Sequence, residues 1–286
     1  MPTKRFISSL ILFLAILAGA AALGLNAACI IVTEGGPDFF PGRGTQEDFQ
    51  KTLPLSAGGS FSLKNTNGFV HVSTWNRNEV EIKAVKIAKW SKNDLKRVEI
   101  EVSSAGDSVR VDTVYEKSMW RNIRVEVKYE VKVPDGVRLE NVRTTNGDIE
   151  LSGRFSDAEA GTTNGDIRLN SASGRCSAHT TNGDIHVVNF KGPIEAGTTN
   201  GSIHLDVRAL EAGIRAHTTN GSITLKMEGE VNANFRAHTT NGHIKTDFPV
   251  TIRGTISSRR TLEGVFGNGG PEIELRTTNG SITLTR

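Results

Sequence analysis

Histidines and evenly spaced aspartates are the side chains in this chain best suited to chemistry. His186 and His204 stand one short interval apart, and Asp148, Asp166 and Asp184 follow the same interval. Imidazoles ligate zinc or copper, and grouped carboxylates hold calcium or act as acid and base on a sugar. If positions one interval apart stack at strand spacing, about 4.8 Å, His186 lies over His204 and His217 over His238. These four are the candidate metal residues. No Cys or carboxylate completes a tetrahedral set in the sequence, and outward histidines on a wet face are the simpler reading. The aspartates share their position with Ser202, Ser222 and Ser281, which suits bonding to backbone groups at a bend. No catalytic residue and no cofactor are therefore expected. Metal binding through the histidines and polysaccharide cleavage at the aspartates are the two alternatives to a non-enzymatic protein. The Gly264–Pro271 loop lacks the Lys-Ser/Thr of a phosphate cradle.

These side chains are positioned by one recurring phrase, Thr-Thr-Asn-Gly-x-Ile-x-Leu/Val. Its bends are Asn146-Gly147, Asn164-Gly165, Asn182-Gly183, Asn200-Gly201, Asn220-Gly221, Asn241-Gly242 and Asn279-Gly280, with a looser copy at Asn67. The steps are 18, 18, 18, 20, 21 and 38, the last read as two periods with a worn copy between. A fixed period near twenty marks a stacked repeat protein. With Asn as position 0, −4 is small or aliphatic, −2 is Thr, +3 is Ile, and +5 is Leu or Val in every copy but that of Asn241, which has Thr246. Period-two alternation on both sides of the bend requires strands. Asn-Gly suits either a two-residue hairpin loop or the corner of a coil. The coil is preferred, because stacked rungs bury a continuous core that a lone hairpin cannot. It also lines up the asparagine amides for bonding from rung to rung. The inward threonine at −2 then braces the corner through a backbone partner. The expected fold is all-β, a parallel β-solenoid of ~18–21-residue rungs and right-handed, with antiparallel hairpin repeats as the alternative.

The 286 residues carry a net charge of +3, too little to call for a polyanion, so no nucleic acid is expected as partner. Residues 1–29 read as an export signal: Lys4 and Arg5, the apolar run from Phe6, and small residues before Cys29. Cleavage near Ala27, lipidation of Cys29 and retention as a membrane anchor all remain open, although Asn26 departs from a lipobox. Each places the protein outside the cytoplasm, in the cell envelope. Residues 30–58, rich in Gly and Pro, read as a flexible linker. Cys176 falls on the Ala178 side of the alternation and reads as a small buried residue.

Residues 59–140 read as an amino-terminal β section whose long strands cap the coil, and 141–286 as the repeat solenoid. Within the section, Lys83 to Arg97 forms a basic stripe around Trp90, read as a solvated face with the indole tucked on the core. Leu63-Lys-Asn-Thr-Asn-Gly-Phe-Val, Val133-Pro-Asp-Gly-Val, and Gly267-Asn-Gly-Gly-Pro followed by Leu-Arg-Thr-Thr-Asn-Gly-Ser-Ile carry a resemblance. Over about residues 60–286 the chain resembles the bacterial putative-adhesin family of β-strand-repeat proteins, a domain of unknown function in cell-envelope proteins. The resemblance implies a β-helix-like fold and an exported protein, and brings no catalytic residues. The expected role is a rigid scaffold or adhesin-like surface for an unknown envelope protein or surface polymer.

Overall fold

The computed structural model describes residues 45–116, 123–170, 174–251 and 260–286. The export signal, Cys29 and the start of the linker lie outside the described residues. In chain order the amino-terminal section holds β1 (Thr45–Pro54), β2 (Ser60–Lys64), β3 (Val70–Trp75), β4 (Glu79–Ala88), a 3₁₀ turn (Lys92–Arg97), β5 (Val98–Ala105), β6 (Ser108–Tyr115) and β7 (Val125–Pro134). Each repeat then places one strand on either side of its asparagine. These are β8 (Arg138–Arg143) and β9 (Ile149–Ser152), β10 (Asp157–Gly161) and β11 (Ile167–Asn170), and β12 (Arg175–His179) and β13 (Ile185–Val188). Next come β14 (Ile194–Asn200) and β15 (Ile203–Val207), β16 (Ile214–Asn220) and β17 (Ile223–Met227), and β18 (Ala233–Asn241) and β19 (Ile244–Thr246). β20 (Thr261–Phe266) precedes the last pair, β21 (Glu272–Asn279) and β22 (Ile282–Thr285).

Strands before and after each bend enter different sheets, which excludes the hairpin and makes Asn-Gly the corner of a coil. One 11-stranded sheet runs β1-β4-β7-β3-β9-β11-β13-β15-β17-β22-β19, the other β20-β18-β21-β16-β14-β12-β10-β8-β2-β6-β5. Between β3 and β19 every pairing in the first sheet is parallel, and identical repeat positions face one another: Ile149, Ile167, Ile185, Ile203, Ile223, Ile282, Ile244. The facing interiors of the two sheets form one core, with the +3 and +5 side chains meeting those at −4 and −6. Cys176 is part of it, and burial pushes its thiol up to about 12, so it stays protonated at neutral pH.

Three expectations need correction. Residues 45–54, read as linker, form β1, which pairs antiparallel with β4 along its whole length. Leu53 and Leu55 are buried there, so the Gly and Pro content that suggested a spacer concealed an alternating strand. The 38-residue step to Asn279 does not hold two successive storeys. β21 inserts between β16 and β18, and β22 between β17 and β19, so the last repeat in sequence is next to last in space. The intervening β20 runs antiparallel on β18 and closes that edge. Finally, Trp90 is not tucked on the core but 76% exposed. It follows the end of β4 at Ala88, past the point where the sheet offers an inward face. Of the basic stripe around it, Lys86 turns inward to Glu47 at 2.5 Å.

Candidate functional site

The full copies of the corner are built from four repeat positions, the asparagine, the glycine, Thr at −2 and the residue at +2, which bond or pack against the neighbouring storey. The asparagine amides form one directional chain. Nδ2 of Asn146 donates to Oδ1 of Asn67, and the pattern continues through Asn164, Asn182, Asn200, Asn220, Asn279 and Asn241 at 2.7–2.8 Å. At its beginning the Asn67 amide meets the half-buried Tyr115 hydroxyl, whose pKa burial raises to about 12.

The glycine after each asparagine supplies a carbonyl that two groups of the next storey approach. The Thr at −2 donates to it, as Thr162 does to Gly147 at 2.9 Å and Thr218 to Gly201 at 2.8 Å. The next glycine's Cα packs against the same oxygen, where a Cβ would stand 1.9–2.2 Å away. Thr at −2 is buried in all seven full copies, 0% exposed at Thr218. Thr218→Val keeps the shape and removes the donor, so a loss of ~1–2 kcal/mol is expected. Urea unfolding should show a lower midpoint at unchanged slope.

The aspartate column has the backbone role its exchange with serine suggests. Asp148, Asp166 and Asp184 accept from the amides of Asp166, Asp184 and Ser202 at 2.7–2.9 Å. Ser202 and Ser222 do the same for the next two storeys. Arg168 pairs with Asp148 and Asp166 and offsets their charge.

Of the four candidate metal histidines, the structure brings one pair together. His186 and His204 stack with centroids 4.8 Å apart and planes 4° from parallel. Parallel rings do not converge two nitrogens on one ion. His217 faces Arg276, and Arg276 faces His238, because β21 lies between them. The expected His217–His238 pair is therefore overturned, and His238 bonds Thr261 instead. Among the described residues, no group of three His, Cys, Asp or Glu is placed to hold a metal ion.

Burial, and after it the charge of His204, holds the His186 imidazole below its ordinary range. Between the ordinary value near 6.5 and the lowered one, the unfolded chain binds more protons. The contribution of His186 to stability is thus complete above that window and declines as pH falls through it. His204→Gln should raise the His186 midpoint, read from its ring proton shifts by NMR. An unmoved midpoint would rule out coupling between the rings.

Sequence reasoning missed a cleft at the amino-terminal end of the ladder, about 670 Å³ in volume, lined by Phe69, Trp90, Ile123, Arg124, Asn146 and Asp148 among others. Phe69 occupies position +2, where later copies carry Asp, Ser or His. The available signal was that substitution, together with Trp90 standing just beyond a strand end.

The model of the Toastrack DUF4097 family matches residues 52–285. Among solved structures, a putative adhesin from Bacteroides fragilis is similar at 14% identity, covering 83% of this chain and 96% of that one, with a TM-score of 0.46. A putative cell adhesion protein from Clostridium sporogenes shares 13% identity over 82% of this chain and 98% of its own, with a TM-score of 0.32. A putative lipid binding protein from Parabacteroides distasonis shares 12% identity over 84% and 97%, with a TM-score of 0.34. No curated protein matches the chain.

Proposed function

The chain belongs to the Toastrack DUF4097 family, and from that premise we propose that it is a non-enzymatic cell-envelope protein presenting a rigid adhesin-like surface. One observation carries the reading: eight copies of the corner are locked by an unbroken chain of amide bonds. Outward side chains are thereby held in columns at strand spacing, about 4.8 Å. Such a wall offers regularly spaced contacts to an extended partner, and ordering it on binding costs little. The carboxylates best placed for catalysis are spent on backbone amides of the next storey, which favours a structural role for them. The sequence of residues 1–29 supports export, with the wall facing an envelope protein or surface polymer.

Photo-crosslinking side chains placed at Arg168, His204, Glu195 and Arg215 sample the outer faces of both sheets. In intact cells they should form adducts with one defined envelope component, concentrated on one face. Absence of adducts from every outward position, or turnover of an envelope glycan by the purified protein, would refute the reading.

A further inference from the structure

We infer that the cleft beside Trp90 is a binding site for a neutral sugar, a deepening of the surface-binding reading on which it rests. Three observations converge there. First, Trp90 is 76% exposed, and among the described residues the only other exposed large apolar side chain is Val114, at 40%. Arg124 lies over one side of the indole, its guanidinium carbon 5.8 Å from the ring centroid. The exposed remainder of the ring is available for stacking.

Second, the cleft is an open, shallow groove of about 670 Å³, roomy enough for a sugar ring lying on its wall. Phe69 and Ile123 extend the apolar side begun by Trp90. Phe69 stands directly before Asp148 in the +2 column, so an apolar wall changes there into a row of hydrogen-bonding groups.

Third, the polar lining mixes both signs and both bonding senses. Lys89, Arg124 and the Asn146 amide donate, while Asp148 and Glu126 accept. A polyanion would meet two carboxylates, and an acyl chain would strip water from them and from Lys89 and Arg124 without returning a hydrogen bond. A peptide strand would need free backbone groups. Along the Asn67 corner those of the lining are already spent: Gly68 N–H donates to the Asn146 carbonyl, and the Asn67 and Phe69 carbonyls accept from Val127 and Tyr129. A pyranose has an apolar face for the indole and a rim of hydroxyls that donate and accept at once, and it matches this lining.

The test uses the full-length protein against a panel of neutral oligosaccharides of hexoses and N-acetylhexosamines, with sulfated glycans and anionic phospholipid vesicles as other arms, read by calorimetry. Neutral oligosaccharides should bind, Trp90→Ala should weaken them about tenfold or more, and Trp90→Phe should restore part of the loss. Asp148→Asn should weaken binding less, while His186→Gln, on β13 and outside the lining, leaves it unchanged. Binding confined to sulfated glycans or vesicles, no binding by any neutral glycan, or equal affinity in Trp90→Ala would each overturn the assignment. Crosslinks from Arg168 and His204 that persist in Trp90→Ala cells would then leave the wider reading standing, so the two failures are distinguishable.

Discussion

Gly183→Ala is expected to destabilise the protein by ~3–5 kcal/mol, near the top of what single substitutions cost. Gly183 has φ +154°, and a Cβ there would lie 1.9 Å from the Gly165 carbonyl oxygen and 2.5 Å from its carbon. Retreat of that oxygen would break the bond it accepts at 3.0 Å from Thr180, which stands on the Gly183 storey. Moving Gly183 away stretches the amide bond from Asn182 to Asn164 and crowds Asn200 on the other side. The comparison is Gly106→Ala in the β5–β6 turn, where φ is +58° and no atom lies within 4 Å of the new methyl. It carries the conformational cost alone, about 1 kcal/mol. Thermal unfolding should therefore place Gly183→Ala about 10 °C below the parent, with Gly106→Ala a few degrees below. Similar small shifts in both would mean that the storeys relax around the methyl.

The same corner explains why so much was legible beforehand. Alternation assigned the inward positions because a strand exposes every second side chain to each face, and Ile185, Val187, Ala178 and Cys176 all lie inside. The −2 threonine and the asparagine column followed from asking where polar groups at a stacked bend find partners. The order of storeys did not follow, because each copy offers its neighbours the same donors and acceptors. What separates the copies is the charge at −5. Glu195 faces Arg215, Arg215 faces Glu274, Glu274 faces Arg236, and Arg236 faces Glu263 on β20. Sequence order would have set Arg215 against Arg236. The outward charges thus held the signal that the inward pattern lacked. Residues 45–54 were misread because turn-rich composition on both sides outweighed an alternation only ten residues long. Trp90 was misplaced because its position after a strand end is a fact of topology.

Deletion of residues 267–286 should remove far more than one storey. In a solenoid stacked in chain order the last repeat is the end rung, and its loss leaves the others bonded. Here β21 and β22 are interior. Their removal uncovers Ile214, Ala216, Ile223 and Leu225 and takes away the only parallel partners that β18 and β19 have among the described residues. The buried side chains lost include Ile273, Leu275, Ile282 and Leu284, ~1.5–3 kcal/mol apiece against exposure, a sum comparable with the net stability of a whole domain. β18 could recover only by pairing with β16, and that would set Arg236 directly against Arg215 and His238 against His217. Like charges directly opposite across a strand pair are destabilising. β19 would also bring to β17 only three residues, with half-buried Ile244 and Thr246 over Ile223 and Leu225. Hydrogen exchange of the truncated protein should therefore show protection lost over 233–246 and retained over 149–205. Protection persisting over 233–241 would mean that β18 has docked onto β16, and that the charge column does not decide the order of the storeys.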